Sequence, residues 1–504
     1  MARRSAVSPP ADARSGESSS FPAGLRESNP HLAATVSSSA ACKQERGSGE
    51  ELAAVHLAAV GLAEVIGEHH LLASSHSDAY GRLFGRDSLI TSLQLLSAVR
   101  LDPALAPALL PPVERTLRAL AALQGIMDDP WTEEEPGKIP HEYNPDGGGD
   151  FPGAYYASVD STPLFLVALH EYGRLKPSLL SELQESRNRA LSWILERADL
   201  DGDGLVEFLQ RNPEGKSLIN QNWKDSRDSL LTADGSSPEY PVAYAEVQAY
   251  CYKAAVGEAE LRRQQDPATA SGLLKWADRL ADAFERGFWV PEAGCYAQAL
   301  DARKRQLSDV ASNSFHWLWM GPMRPRRFRR VAGRLLAPDM MTPFGVRTLS
   351  SASSNYAPLR YHRGSIWPWD NWVAASALRR LGMAEQADGI DASVLRALTL
   401  LGCPAELYTY QDGEPEPSMS LLDWQGRPAR SCRTQAWTVG YLVEMVARRG
   451  MAGALLLCYH SLCEKAAMAG TQGSVDRWIW EETQHGSPVQ RSSNIAGYAL
   501  HCEG

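Results

Sequence analysis

Several features that mark common classes of protein are missing from this sequence. It has no run of eighteen apolar residues, so no membrane-spanning helix is predicted. Its eight cysteines form no CxxC pair and are too sparse for a disulfide scaffold, which favours reduced thiols in a cytosol-like compartment. The net charge is −10, and the single arginine-rich stretch, at 323–330, is typical of a solvated helix start. We therefore expect a cytoplasmic protein that binds neither membranes nor nucleic acid.

Metal and cofactor signatures are also scarce. No histidine and cysteine cluster has metal-ligand spacing, and the glycines at 147–149 do not open a helix as a phosphate-binding loop would. The acidic turn Asp199–Asp203 imitates the start of a calcium loop, but Gln210 stands where a bidentate glutamate is expected. The sequence therefore predicts no cofactor and no metal, with calcium at this turn as the open alternative.

Composition divides the chain into three segments. Residues 1–49 are rich in Ser, Ala, Pro and Arg, which predicts a disordered tail or an organelle transit segment. Helical periodicity then persists over 50–467, and residues 468–504 become a turn-rich extension of unknown role. We expect one folded domain at 50–467, and the oligomeric state is left open.

The pattern of this domain is helical, with about a dozen helices and few alternating β patterns. Apolar side chains recur on one helical face after residue 240, leucines do the same over 178–198, and the prolines at 111–112 suit the first turn of a helix. No fixed repeat of the solenoid type is present. Helices that alternate with short and long loops predict paired helices in a ring, with the long loops building a pit at one end.

The long loops contain most of the polar and aromatic side chains that could form a binding site. Carboxylates, arginines and amides can pair with vicinal hydroxyls, while indole and phenol rings pack against the C–H faces of a sugar. This mixture predicts a carbohydrate-binding pit. The candidate binding residues are Arg86, Asp87, His141, Glu142, Asp160, Trp223, Lys224, Arg363, Trp367 and Asp370.

Two carboxyl groups in separate loops suit cleavage of a glycosidic bond. Such a reaction needs a protonated acid on one side of the bond and an ionised carboxylate on the other. Asp225 lies beside Trp223, whose apolar ring would disfavour the charged carboxylate and raise its pKa. Glu406 lies far along the chain and can approach from the opposite side. We predict these two residues as the catalytic pair.

Many blocks in one order resemble the amylo-α-1,6-glucosidase family, the glucosidase part of glycogen debranching enzymes. The resemblance covers residues 80–446 and rests on blocks such as FGRDSLI, GKIPHE, NQNWKDSRDS, YHRGSIWPWDN and PAELY. It implies an all-α (α/α)₆ toroid, a six-hairpin barrel whose long loops form a central pocket. It also implies an inverting glycoside hydrolase that releases a terminal glucosyl unit from an α-glucoside.

The resemblance further implies particular roles. Asp225 would be the acid, Glu406 the base that activates water, and Arg86 with Asp87 would grip the terminal glucose. The block with His362, Arg363, Trp367 and Asp370 would line the same pocket.

Two departures from the family pattern leave alternatives open. Ala405 is inserted before Glu406, so the nearby Glu414 and Glu416 are substitute bases. The amino-terminal β-rich domain of debranching enzymes is not recognisable, which favours a small substrate such as glucosylglycerate, mannosylglycerate, trehalose or sucrose.

Two further readings remain. A toroidal sugar epimerase would use histidines, and His141, His316 and His362 are candidates. A non-catalytic carbohydrate-binding toroid is the other. Asp160 has a structural alternative to ligand binding, as the N-cap of a helix. Asp228 is predicted to be structural, accepting hydrogen bonds from backbone N–H groups at a helix start.

Overall fold

The computed structural model describes residues 43–146 and 151–468. Most of the predicted tail at 1–49, including any transit segment, and nearly all of the predicted extension at 468–504 lie outside these residues. Residues 147–150, which contain the three glycines compared above with a phosphate-binding loop, also lie outside them. No helix in the described ranges combines the length and apolar character needed to cross a membrane.

Helices dominate the described part of the chain, as the periodicity predicts. Within the described ranges they number fourteen, with one 3₁₀ turn at Pro103–Leu105. They are α1 (Lys43–Val65), α2 (Gly85–Leu101), α3 (Ala106–Ala122), α4 (Ser161–Gly173), α5 (Ser178–Glu182), α6 (Gln184–Glu196), α7 (Ala245–Arg262), α8 (Pro267–Gly287), α9 (Asn313–Met320), α10 (Pro325–Leu335), α11 (Pro368–Arg380), α12 (Ala384–Leu401), α13 (Ala436–Arg448) and α14 (Ala452–Met468).

Six of these helices contact one another in a closed cycle. In order they are α2, α4, α7, α9, α11 and α13, and α13 packs against α2. Each also packs against a second helix, namely α3, α6, α8, α10, α12 or α14. Six helix pairs in a cycle fit an (α/α)₆ toroid.

Burial distinguishes the two sets of helices. In α4, a member of the inner cycle, every residue except Glu171 is buried, as expected for a helix that is covered on all sides. In α8, which belongs to the outer set, the buried residues recur at three- and four-residue spacing from Ala270 to Phe284. One face of this helix therefore packs against the protein and the other is solvated. The apolar core therefore lies between the inner and outer helices.

Two helix boundaries differ from the sequence prediction. The helix predicted to start at the prolines 111–112 begins earlier, at Ala106, because Pro107 takes the first-turn position and Asp102 caps the preceding 3₁₀ turn by accepting from the amide of Ala104. The leucine-rich stretch at 178–198 is two helices, which are separated at Leu183.

Small antiparallel sheets supplement the helices, so the fold is not purely α-helical. Their orders are β1-β2-β3, β4-β7-β8, β5-β6, β9-β10 and β11-β12. The strands are β1 (Leu83–Phe84), β2 (Glu142–Asn144), β3 (Gly153–Tyr155), β4 (Ala243–Tyr244), β5 (Trp289–Val290), β6 (Cys295–Tyr296), β7 (Ala299–Leu300), β8 (Gln306–Leu307), β9 (Met341–Thr342), β10 (Gly345–Val346), β11 (Ser420–Leu422) and β12 (Pro428–Arg430). Strands β1 and β4 lead directly into the inner helices α2 and α7, so these sheets brace the loops at the amino-terminal ends of those helices.

Candidate active site

A cavity of about 370 Å³ lies at the amino-terminal ends of inner helices. Arg86 and Asp87 enter it from the first turn of α2, Trp367 from the residue before α11, and Trp437 from the first turn of α13. Eight of the predicted site residues line it. They are Arg86, Asp87, His141, Glu142, Trp223, Asp225, Trp367 and Glu406.

Asp225 faces the cavity and is anchored by one cation. Nη2 of Arg86 donates to its Oδ2 at 2.7 Å, and a quarter of the Asp225 side chain is exposed. Burial by the surrounding protein raises the pKa of Asp225 to about 6, although the Arg86 charge opposes this. About a tenth of this carboxyl is therefore protonated at pH 7, and the protonated fraction that proton donation requires grows as the pH falls toward 6.

Arg86 connects three carboxyl groups. Its Nη1 contacts Asp160 Oδ2 at 3.1 Å, its Nη2 contacts Asp225, and its Nε lies 3.8 Å from Asp87 Oδ1. Asp160 occupies the N-cap position of α4 but makes no capping hydrogen bond, and instead accepts from Arg86 and from the hydroxyl of Ser158. Its role in this structure is to orient Arg86 from behind the cavity wall.

Glu406 is held by donors on both carboxylate oxygens. The hydroxyl of Tyr361 donates to Oε1, and the amide of Cys432 donates to Oε2 at 3.2 Å. Burial raises the pKa of Glu406 to about 7, these two hydrogen bonds oppose the shift, and the charge of Asp225 adds to it. Two donors and no adjacent cation suit a carboxylate that accepts a proton from water.

The two carboxyls therefore share one cavity and influence each other's ionisation. Both titrate near neutrality, and Glu406 has the higher pKa of the two. Their contacts differ in kind, since a guanidinium contacts one oxygen of Asp225 while neutral donors contact both oxygens of Glu406. This order of pKa values favours the form with Glu406 protonated, so the form that provides Asp225 as an acid and Glu406 as a base to a bond between them is the minority one.

Asp87 is a third buried carboxyl in the cavity wall. Nε2 of Gln435 donates to its Oδ2 at 2.9 Å, which ties α2 to the start of α13. Burial raises the pKa of Asp87 to about 8, with the Arg86 charge opposing this. Near neutral pH this carboxyl is mainly protonated, so it can both donate to and accept from a ligand hydroxyl.

Aromatic rings form a fixed wall beside the carboxyls. Trp367 stacks on His362, with 5.0 Å between ring centroids, and meets Trp223 edge to face at 5.7 Å. Trp437 contacts Trp367 at 5.8 Å. His141 packs edge-on to Tyr155, and burial holds its pKa well below the usual histidine range, so its ring is neutral.

Five predicted binding residues do not line the cavity. Besides Asp160, they are Lys224, His362, Arg363 and Asp370, whose polar groups contact other protein groups. Lys224 donates to Asn313 Oδ1 and the Thr348 carbonyl, His362 contacts the Ser226 hydroxyl, Arg363 contacts Asp228 and the Asn355 carbonyl, and Asp370 contacts Nε2 of His316. Asp228 lies in a turn rather than at a helix start.

Other candidates from the sequence also lie away from the cavity wall. Glu414 and Glu416 are exposed surface residues, whereas Ala405 is buried and Glu406 after it lines the cavity. Of the three histidines considered for epimerisation, only His141 lines the cavity, because His316 is enclosed between Tyr250 and Asp370. The arrangement does not offer a facing pair of histidines.

The acidic turn holds an internal cation. Nζ of Lys304, which lies in the β7–β8 connection, contacts Asp201 Oδ2 at 2.8 Å, Asp203 Oδ2 at 2.9 Å and Oε1 of Glu207. Lys304 adopts a left-handed backbone conformation with φ of 59°. The lysine ammonium thus stands among the carboxylates that a calcium ion would use.

Several cavity residues were not singled out from the sequence. Tyr361 and Phe84 lie within the blocks YHRGSIWPWDN and FGRDSLI, in which the sequence predicted neighbouring residues instead. The others lie in or beside the long loops, where no local pattern distinguishes a cavity-facing side chain from its neighbours. The complete set is Tyr80, Arg82, Phe84, Asn144, Phe151, Tyr155, Lys216, Leu218, Tyr361 and Trp437.

Comparison with solved structures shows which fold this is. A GH63 mannosylglycerate hydrolase from Thermus thermophilus in complex with Tris aligns with a TM-score of 0.58 and 16% identity, over 78% of this chain and 99% of that chain. The same enzyme in complex with glucose gives a TM-score of 0.53 over the same shares, also at 16% identity. A rhamnosidase from Klebsiella oxytoca with rhamnose bound gives 0.51 at 15% identity, over 79% of this chain and 64% of that one. At these identities the likeness establishes the fold alone.

The family assignment comes from the sequence. Among curated proteins none matches the chain significantly. The family model of the mannosylglycerate hydrolase MGH1-like glycoside hydrolase domain matches residues 177–438, which is slightly more than half of the chain. The expected relation to toroidal glycoside hydrolases is confirmed at that level, whereas the comparisons do not support the specific resemblance to amylo-α-1,6-glucosidase. The chain belongs to the MGH1-like family and is a glycoside hydrolase.

Proposed function

We propose that this enzyme hydrolyses a small α-glycoside with inversion of configuration, and that Asp225 and Glu406 are its acid and base. The observation that carries the proposal is the presence of both carboxyls, each with a raised pKa, in the wall of one cavity. The family model adds support for the small-glycoside class, since its name refers to a mannosylglycerate hydrolase.

The cavity's size and charge favour a short substrate. A volume of about 370 Å³ suits a ligand of one or two sugar-sized units rather than a branched polymer chain. Arg82 and Lys216 also belong to its wall, where Arg82 pairs with Glu142 and Lys216 with Glu214, each at 3.0 Å. A carboxylate on the aglycone would be a second partner for these two cations. Glucosylglycerate and mannosylglycerate are glycosides of this kind, whereas trehalose and sucrose are neutral alternatives of similar size.

The mechanism follows from the contacts of each carboxyl. Asp225 in its protonated form donates to the glycosidic oxygen, and Arg86 then stabilises the carboxylate that remains. Glu406 takes a proton from a water molecule that attacks the anomeric carbon from the opposite face. Tyr361 and the Cys432 amide keep the Glu406 carboxylate directed into the cavity before and after this transfer.

The test is a pair of isosteric substitutions with matched controls. Asp225→Asn and Glu406→Gln are each expected to lower kcat by at least about 100-fold, the low end for a positioned acid or base. Asp228→Asn and Glu414→Gln, which remove nearby carboxylates outside the cavity, serve as controls and are expected to stay within a few-fold of the parent. Near-parental turnover of Asp225→Asn or Glu406→Gln would remove that residue from the mechanism.

Substrate and stereochemistry can be measured together. Wild-type enzyme is assayed on glucosylglycerate, mannosylglycerate, trehalose, sucrose, isomaltose and limit dextrin, with proton NMR of the fresh product. Inversion requires that an α-glycoside gives the β-anomer first, so initial release of the α-anomer would refute the proposed mechanism. Preferential cleavage of limit dextrin or isomaltose would instead favour amylo-α-1,6-glucosidase activity, the reading implied by the sequence blocks.

A further inference from the structure

We infer that the hydroxyl of Tyr80 positions the water molecule that attacks the anomeric carbon. Glu406 accepts one hydrogen of this water, and Tyr80 Oη accepts the other. The inference rests on the proposed function, because it assigns a second partner to the water that Glu406 activates. Tyr80 lines the cavity and was not among the site residues predicted from the sequence.

An attacking water needs two acceptors to be held in a reactive orientation. It attacks through a lone pair, so both of its hydrogens must point away from the carbon that it attacks. A single acceptor leaves the water able to rotate about one hydrogen bond, whereas two acceptors fix the direction of the lone pair. Because one water spans two hydrogen bonds, the second acceptor must lie within about 6 Å of the Glu406 carboxylate.

Tyr80 meets this distance requirement through a chain of hydroxyls. Tyr361 Oη donates to Oε1 of Glu406, and Tyr80 Oη lies 3.3 Å from Tyr361 Oη. Since both oxygens neighbour the same hydroxyl, Tyr80 Oη and Glu406 Oε1 are at most about 6 Å apart. Both tyrosines are partly exposed and line the cavity, so a water molecule can reach this position from the cavity.

The proton of Tyr361 decides the direction of these hydrogen bonds. It goes to the Glu406 carboxylate, so Tyr80 is the donor in the contact between the two hydroxyls. The oxygen of Tyr80 then has its lone pairs for another donor, and no residue in the described ranges donates to them. These lone pairs suit the second hydrogen of the water.

Tyr80 takes no part in proton transfer. Burial and the charge of Glu406 raise the pKa of Tyr80 well above the usual tyrosine range, so its hydroxyl stays protonated. One water proton passes to Glu406 as the new bond to the anomeric carbon forms. The glycosidic bond breaks, and its oxygen takes the proton of Asp225. The second water hydrogen, held by Tyr80, remains on the new hydroxyl of the product.

The loop that carries Tyr80 is tied to the segment that holds the base. Asp78, two residues before Tyr80, accepts from the amides of Arg433 and Thr434 at 3.1 and 3.0 Å. These amides directly follow that of Cys432, which donates to the base at 3.2 Å. One hydrogen-bonded unit therefore sets the positions of both acceptors, as the orientation of a shared water requires.

Two other carboxyls of the cavity wall have different partners. Glu142 pairs with Arg82 at 3.0 Å. Asp87 accepts from Gln435 and is mainly protonated near neutral pH, because burial raises its pKa to about 8. Arginine, lysine and indole side chains donate hydrogen bonds but do not accept them. Tyr80 combines closeness to the base with lone pairs that no described residue uses.

Tyr80→Phe removes the acceptor and keeps the ring, which packs edge to face on Phe84 at 5.5 Å. It should lower kcat by about 5- to 100-fold, because the water is less well oriented, and change KM by less than about threefold. The inhibition constant of the product sugar should likewise stay close to that of the wild type. Tyr408→Phe, which changes a buried tyrosine outside the cavity wall, is the matched control and should keep the parental kcat.

The pH profile distinguishes a contact with water from an indirect effect on Glu406. In Tyr80→Phe the upper bend of the profile should stay within about 0.5 pH unit of the wild type, because Tyr361 still donates to Glu406. A parental kcat in a folded Tyr80→Phe variant would overturn the inference. A lower kcat with the same rise of the upper bend as in Tyr361→Phe would also overturn it, since Tyr80 would then act only through Tyr361.

A crystal structure tests the contact without any change at Tyr80. In the Asp225→Asn variant with intact substrate, one water should lie about 3 Å from both Tyr80 Oη and the Glu406 carboxylate. It should face the anomeric carbon on the side opposite to the glycosidic oxygen. A water held by Glu406 and a different second group would overturn the inference and leave the proposed function intact. Failure of the wild type to cleave any glycoside of the panel would refute the proposed function instead.

Discussion

Replacing Tyr361 by phenylalanine should move one limb of the pH–rate profile in a defined direction. Tyr361 donates a hydrogen bond to Glu406, which stabilises the ionised carboxylate and lowers its pKa. The loss of this bond therefore raises the pKa. A hydrogen bond to a charged group contributes about 1.5–3 kcal/mol, which corresponds to a rise of about one to two pKa units. The pKa of Glu406 would move from about 7 to between roughly 8 and 9.

The consequence for activity depends on both carboxyls. The active form needs a protonated Asp225, with its pKa of about 6, and an ionised Glu406, with its pKa of about 7. At pH about 6.5 only roughly 6% of the wild-type enzyme has both groups in the required states. In Tyr361→Phe the ionised fraction of Glu406 at this pH falls about 8- to 80-fold. The upper bend of the profile moves to higher pH, and the two profiles approach each other at strongly alkaline pH.

The assay is kcat/KM from about pH 4 to 10 on the best substrate of the panel. Tyr408→Phe is a matched control, because Tyr408 lies two residues after Glu406, is buried, and donates to the Phe344 carbonyl at 2.7 Å rather than to a carboxyl. This control should lower stability without moving either limb. An unchanged upper bend in Tyr361→Phe, with a folded protein, would refute the reasoning about Glu406.

Three further predictions concern charged side chains. Arg86→Lys should lower kcat/KM about 10- to 100-fold, because one ammonium cannot contact Asp160 and Asp225 as the guanidinium does; a variant with parental steady-state kinetics would contradict this. Lys304→Met should lower the free energy of unfolding by about 1–3 kcal/mol, since the carboxylates of the acidic turn lose their cation; equal midpoints in urea denaturation would show that the contact contributes nothing. Lys216→Met should raise KM for glycosides with a carboxylate aglycone and leave KM for trehalose unchanged, and an equal effect on both would exclude a role in carboxylate recognition.

The helices were largely predictable because each depends on local periodicity. Stretches such as 240–254 and 384–401 repeat apolar residues at helical spacing, and the structure has α7 and α12 there. Strands of two or three residues leave no alternation to detect, so the small sheets were missed. The cycle of inner helices depends on contacts such as that between α2 and α13, which local patterns do not contain. That cycle was expected from the alternation of helices with short and long loops and from the resemblance to toroidal enzymes, not from the pattern of any single helix.

The sequence predicted which loops form the site, but not which side chains in those loops face the cavity. Neighbouring residues in a loop project to different sides, and sequence does not say which side faces the cavity. Trp223 and Asp225 line it while Lys224, between them, is directed into the interior. In the next loop Tyr361 lines it while His362 supports Trp367 from behind. Block recognition found both loops, and only coordinates could assign the inward residues.

The hydrogen bond from Gln435 to Asp87 links residues that are 348 positions apart in the sequence. It joins the last helix of the inner cycle to the first. Because Asp87 lines the catalytic cavity, turnover should depend on whether the cycle of inner helices is closed at this contact. α13 and α2 share the most extensive contact of any two helices in the described ranges, so turnover and helicity should be lost together in denaturant. Loss of turnover ahead of loss of helicity in one titration would instead measure the free energy of opening this contact.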